Sequence, residues 1–370
     1  MRTRLADMFG LELPLFAFSH CRDVVAAVSR AGGLGVLGAL YFTPEELETE
    51  LAWIDEHVDG RPYGVDVVMP ASSVSVDGAD DLEARLEEMI PAAHRQFVAE
   101  TLDRFGVPPL NGDAPQGRHL LGWTDATARP QVDVALAHPI ALLANALGPP
   151  PADIVARAHE QGVKVAALAS SARHARKQVE VGVDIVVAQG TEAGGHTGEI
   201  ATMVLVPEVV DAVAPTPVLA AGGIGRGRQM AAAMALGAEG VWTGSLWLTV
   251  AEADSSPVLR DKLLAATSRD TVRSRSMTGK PARMLRTAWT DAWEAEGSPG
   301  TLPMPLQFML TAEAFQRIQR AQNPELVGMP VGQIVGAMND VRPVRDVVFA
   351  LVEEYLAAVE RLNTITGGQA

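Results

Sequence analysis

Short apolar runs rich in β-branched residues alternate along most of this chain with longer segments whose apolar positions recur at helical spacing. The runs read as strands at Leu13–Phe18, Leu34–Leu40, Tyr63–Met69, Pro139–Leu143, Val163–Leu168 and Val183–Ala188, with two more opening the stretches Thr216–Gly227 and Gly240–Ser245. They are apolar almost throughout rather than alternating, the pattern of strands covered on both faces in a parallel sheet. Between them, Asp23–Arg30 reads as a helix ending at Gly32-Gly33, where glycine suits a left-handed cap. Thr43-Pro44-Glu45-Glu46 combines an N-cap threonine, a proline at the first helical position and a glutamate at the third, and Leu47, Leu51, Ile54 and Val58 follow as one buried stripe. Ala152–Gln161 and Ala172–Val181 complete the series. Eight strand–helix units predict an α/β fold, a (β/α)8 TIM barrel.

The regularity breaks from Pro70 to Val132, with an acidic stretch around Asp77–Glu88 and Pro/Gly-rich turns near Val107–Gly117. This segment reads as a partly helical insertion at about 71–132 that caps the barrel or contacts a second subunit. After the last strand, Ser274–Arg286 reads either as a lid or as a basic surface turn, and Val347, Val348, Leu351, Val352, Tyr355, Leu356 and Val359 mark a final helix packed on the barrel wall. The expected organisation is a barrel over 1–270 carrying the insertion, then a lid and C-terminal helices over 271–370.

Chemistry concentrates where strands end. Gln189-Gly190-Thr191-Glu192-Ala193-Gly194-Gly195-His196-Thr197-Gly198 follows the sixth strand and sets a histidine among glycines at the sheet's carboxyl edge, where α/β proteins bind ligands. His196 is therefore a proton-transfer candidate, or else a solvated loop histidine. Gly222-Gly223 and Gly244-Ser245 leave the next two strands. Backbone N–H groups there form a phosphate cradle beside a helix start, unless the glycines serve only tight turns.

With 370 residues and 48% hydrophobic content, the chain has ample material for a large core. A lone Cys21 excludes an internal disulfide framework, and no His/Cys spacing suggests zinc, so no metal site is expected. A net charge of −15 argues against nucleic-acid partners. No signal-like N-terminus or membrane-length apolar run is present, which points to a cytoplasmic enzyme.

Together, Gln189–Gly198, Ala220–Gly225, Gly240–Ser245, Ala31–Gly35 and Thr278–Arg283 resemble the nitronate monooxygenase family of FMN-dependent barrels, which also includes the FMN-containing enoyl-ACP reductase II. The resemblance runs from about Leu13 to Arg286 and is weaker from Ala71 to about Val132. It implies FMN as cofactor, with Gln189, Gly194, Gly195, Gly222, Gly223, Gly244 and Ser245 matching flavin or phosphate contacts and Ala17 matching a backbone contact to the ring. It implies His196 as the catalytic residue beside the flavin and places Ser274–Arg286 over the cofactor, where Lys280 and Arg283 suit an anion.

The expected reaction is oxidation of alkyl nitronates by O2 through a flavin semiquinone. One alternative is an NAD(P)H-dependent reductase of an enoyl thioester or quinone; another is a flavin- or phosphate-binding barrel without turnover. Expected partners are a small-molecule substrate with O2 or NAD(P)H, and a second copy in a homodimer. Two departures stand out: Ala17-Phe18-Ser19-His20-Cys21 replaces a Pro-Met pair at the first strand exit, and Asp66 stands where many members carry asparagine. His20 and Cys21 line the pocket, or are a satisfied loop residue and a small buried hydrophobe.

Overall fold

A computed structural model describes residues 1–69, 79–110 and 125–367. Its first half runs α1 (Arg4–Phe9), β1 (Leu15–Ser19), α2 (Arg22–Arg30), β2 (Leu34–Gly38), α3 (Pro44–His57), β3 (Tyr63–Asp66), α4 (Ala79–Glu88), α5 (Ala92–Arg104), α6 (Asp125–Ala137), β4 (Leu142–Asn145), α7 (Ala152–Glu160), β5 (Lys164–Ala169) and α8 (Ala172–Glu180). The second half runs β6 (Ile185–Gln189), β7 (Gly195–His196), α9 (Thr202–Val213), β8 (Val218–Ala221), α10 (Gly227–Ala235), β9 (Gly240–Thr243), α11 (Pro257–Ala265), β10 (Thr271–Ser274), β11 (Ala282–Leu285), α12 (Ala288–Glu294), α13 (Leu306–Ala321) and α14 (Val344–Ile365).

Strands β1-β2-β3-β4-β5-β6-β8-β9 form a closed parallel barrel, shut by the pairing of β1 with β9. This is the TIM barrel expected from the eight apolar runs. Successive side chains on each strand face opposite sides. Thus Phe16, Val36, Leu142, Ile185, Leu219 and Trp242 fill the interior above Leu5 of α1, while Ala17 packs outward among Val24 and Val28 of α2. The capping box at α3 is present: the Glu46 N–H donates to Thr43 Oγ1 at 3.2 Å, and the Thr43 N–H donates to Glu46 Oε2 at 2.9 Å. Leu47, Leu51 and Ile54 are fully buried, and each such side chain contributes roughly 1.5–3 kcal/mol.

The stretch read as an insertion divides between two neighbours. Helix α6 belongs to the barrel wall, where Ala128, Val132 and Ala135 pack with Leu47 and Leu51 and Gln131 Nε2 donates to the carbonyls of Ala39 and Phe42. Pro130 inside that helix obscures its period in the sequence. By contrast, Ile90, Val98, Leu102 and Val107 join Trp293, Leu310 and Ile318 in a separate core. Arg317 and Asn323 fix this contact through the carbonyls of Pro108 and Phe105. Most of the Pro/Gly-rich turns, like residues 70–78, lie outside the described residues.

Helix α14 lies against α10 and α2, as its stripe predicts, burying Val344, Val348 and Leu351, although Leu356 is exposed. The candidate lid forms a hairpin. Strands β10 and β11 pair antiparallel, and β11 also pairs with β7, so Ala282 sits opposite His196 and Arg283 opposite Gly195.

Candidate active site

A cavity of about 660 Å³ opens at the carboxyl ends of the barrel strands and runs beneath the β10–β11 hairpin toward α12 and α13. Gln189, Gly194, Gly195, His196, Gly222, Gly223, Gly244 and Ser245 all line it. Ala17 does not: it is fully buried in the outer layer, and its neighbour Phe18 reaches the cavity instead.

Above Trp242, the exits of β8 and β9 line the cavity with main chain. Gly222 and Gly223 adopt φ of +104° and +68°, and a Cβ on Gly222 would stand 2.7 Å from Thr202 Oγ1. The next donors are committed: the N–H groups of Gly225 and Arg226 both donate to Gln229 Oε1. Those of Gly223, Ile224, Gly244 and Ser245 have no acceptor among the described residues. Four unsatisfied donors at one rim favour a bound anion. The Gly332 N–H donates to Ser245 Oγ at 2.8 Å, which ties the C-terminal segment over this rim.

Glu192, inside the glycine motif, turns away from the cavity. Its carboxylate accepts hydrogen bonds from the N–H and hydroxyl of Thr202 at the start of α9, an anion placed against a helix N-terminus. The motif is thereby anchored at its centre and exposes its glycines and His196.

His196 Nε2 shares a 2.7 Å hydrogen bond with Thr278 Oγ1. Burial, reinforced by the nearby Lys280 charge, pushes its pKa down to about 4. The imidazole is neutral at physiological pH, a state in which it can accept a proton. Thr278 on the hairpin is a site residue that motif reading places in the lid without a partner. Lys280 and Arg283 are absent from the cavity wall among the described residues. Arg283 is instead structural, donating to the Thr191 carbonyl and to Thr271 Oγ1 and so binding the hairpin to the histidine loop.

Over β1–β3, and at Trp242 of the adjoining β9, side chains form the wall. Phe16, Trp242 and Phe18 stack up the barrel at centroid separations of 6.4 and 6.5 Å, and His20 and Tyr41 continue the series. His20 Nδ1 lies 2.9 Å from the Gly38 carbonyl oxygen, which makes it the protonated nitrogen; burial holds its pKa below the usual value. A Cβ on Gly38 would stand 2.7 Å from the rings of His20 and Phe18, so only glycine leaves room for them. Cys21 is buried in the outer core, and its thiol donates to the Glu252 carbonyl. Asp66 ends β3 beside Gly38, lines the cavity and is 4% exposed.

Residues 6–354 match the family model for nitronate monooxygenase. The Mycobacterium tuberculosis protein Rv1533 is 57% identical over 375 residues, covering 98% of this chain and 99% of its own length. A Staphylococcus aureus protein named "Probable nitronate monooxygenase" is 29% identical, covering 90% of this chain and 91% of its own. Among solved structures, a nitroalkane oxidase from Streptomyces ansochromogenes superposes with a TM-score of 0.80 at 26% identity, covering 97% of this chain and 99% of that one. FabK from Thermotoga maritima gives 0.75 at 28%, covering 99% of each. The chain is thus an oxidoreductase and belongs to the nitronate monooxygenase family.

Proposed function

We propose that this chain is an FMN-dependent nitronate monooxygenase in which His196 meets the substrate. The observation that carries the cofactor reading is the set of N–H groups at Gly223, Ile224, Gly244 and Ser245 that have no acceptor among the described residues, a cradle suited to a phosphate monoester. The aromatic wall of Phe18 and Trp242 and the polar end of Gln189 suit a flat heteroaromatic ring beside it. Gly195 leaves open space beside the cavity, whereas Gly194 lets the Val331–Gly332 backbone close in, a Cβ there standing 2.9 Å from it. When bound, FMN supplies the electron-accepting chemistry.

The chain's own task is to hold a small anion near that ring. A nitronate arrives already deprotonated. The neutral His196, steadied by Thr278, orients it by hydrogen bonding, and the positive potential of Lys280 favours an anion. The same imidazole takes the proton when a neutral nitroalkane enters. The hairpin covers this step and limits access of water.

The apolar end of the cavity, lined by Leu248, Phe315, Leu326 and Ile334, favours one alternative, reduction of an enoyl thioester with NAD(P)H. The experiment is oxygen uptake by FMN-reconstituted protein with propane nitronate and no pyridine nucleotide. Uptake that His196→Asn abolishes supports oxidation. No uptake, together with NADH- or NADPH-dependent consumption of an enoyl thioester, replaces it with reduction.

A further inference from the structure

Opposite the glycine cradle stands a carboxyl group that the reaction above does not use. Asp66 is almost fully buried at the cavity wall, and its Oδ1 has no hydrogen-bond partner among the described residues. The surrounding loops are otherwise closed. Asn145, the buried amide at the end of β4, accepts from the N–H groups of Met69 and Leu147 and donates to the carbonyls of Met69 and Gly148. The Asp66 carbonyl accepts from the Ala39 N–H, and the Ala146 N–H points to its carboxyl. Close by, Gln131 Oε1 also lacks a partner among the described residues, but of these two residues only Asp66 lines the cavity.

The charges nearby do not compensate this carboxyl. The titratable groups lining the same cavity are His20 and Tyr41 from the β1 and β2 exits and His196 across the mouth. Both imidazoles are held below their ordinary pKa by burial. Asp254 acts on His20 and Lys280 on His196, and neither acts on Asp66. Burial pushes the carboxyl up to about 7. A charged carboxylate with an unpaired oxygen is costly in such a site, whereas a protonated one carries a donor and an acceptor side by side.

We infer that Asp66 is a ligand-positioning residue that keeps its proton and donates a hydrogen bond to a carbonyl-type oxygen of the molecule held across the barrel mouth. Strand β3 stands four places from β8 in the ring of eight. A ligand anchored at the β8 and β9 exits therefore reaches Asp66 only with its far side. Two sources share the required chemistry: a ring carbonyl of the flavin, which rests on the FMN reading above, and an oxygen of the substrate. Losing the proton replaces the donor with a charge facing an acceptor, so binding weakens as pH rises.

The test titrates apoprotein with FMN by fluorescence quenching between about pH 5 and about pH 9, in wild type, Asp66→Asn and Asp66→Leu. A flavin contact predicts a wild-type dissociation constant that is flat at low pH and then rises by up to roughly tenfold per pH unit. Asp66→Asn stays flat, and Asp66→Leu is weak throughout. A substrate contact leaves FMN binding unaffected and moves that pH dependence to the dissociation constant of a nitronate, measured anaerobically by spectral shift. Infrared difference spectra should show a protonated-carboxyl C=O band at about pH 6 that Asp66→Asn removes, with or without FMN. If that band is absent, or if neither dissociation constant differs in pH dependence between wild type and Asp66→Asn, the inference is overturned. Failure of the wild type to bind FMN at any pH counts against the FMN reading alone, because the infrared band still reports on Asp66.

Discussion

The two halves of the barrel mouth present different chemistry to the cavity. Over β8 and β9 the donors are backbone N–H groups presented by glycines, with Gln229 and Glu192 holding the adjoining helix starts. Over β1–β3 the wall is made by Phe18, His20, Tyr41 and Asp66, whose chemistry depends on their identity and protonation. A backbone cradle reads charge and shape and tolerates little change in the chain's path. A side-chain wall can alter specificity by substitution while the scaffold stays fixed. This difference matches the sequence: the glycine half carries most of the motifs behind the family resemblance, with Ala31–Gly35 entering β2 the exception, and the β1–β3 half carries both departures from it.

The largest effect should come from breaking the glycine half. Gly222→Ala places a Cβ against Thr202 at a left-handed backbone position, and FMN affinity should fall by roughly 100-fold or more, read by equilibrium dialysis. Retained affinity would remove the cradle from the account. Next, His196→Asn should lower kcat/KM for a nitroalkane by roughly 10²–10⁴-fold while the flavin spectrum remains, because it deletes the base without touching the cradle.

The pH dependence sharpens the comparison between the two halves. His196 has a native pKa of about 4, below that of an unfolded histidine, so the folded protein binds fewer protons between those values. Its contribution to stability is present above the unfolded pKa and is lost as pH falls toward about 4. Asp66 runs the other way. Its native carboxyl holds a proton up to about pH 7, whereas an unfolded aspartate loses it near about 4, so stability declines as pH rises through that window. Asp66→Asn should flatten this decline and stabilise the protein at alkaline pH by on the order of 1–4 kcal/mol, measured by urea denaturation. The smallest effect is expected for Thr278→Val, about a tenfold loss in kcat/KM with FMN affinity unchanged, since it removes only the group steadying His196.

The barrel was legible because each strand is a self-contained apolar run and each helix start carries its own signal, as Thr43, Pro44 and Glu46 demonstrate. The glycine rim was legible because backbone chemistry needs glycine at fixed offsets from strand ends. What was not legible depends on contacts between distant segments. Strand β7 has only Gly195 and His196 and exists because β11 pairs with it. The packing of α5 against α13 leaves only a helical stripe in each, with nothing naming the partner. Lys280 and Arg283 look alike in sequence as basic lid residues, yet Arg283 is buried and spent on backbone carbonyl and hydroxyl partners while Lys280 stays exposed. The protonation of Asp66 follows from three-dimensional burial, which no local pattern encodes.

In the proposed function, this cavity holds FMN and passes it electrons from a nitronate. Its most direct test is an anaerobic visible spectrum of reconstituted protein mixed separately with propane nitronate, NADH and NADPH. The account predicts an oxidised flavin spectrum that changes with the nitronate and not with either nicotinamide. No bound flavin after reconstitution, or bleaching by NADH or NADPH alone, would contradict it.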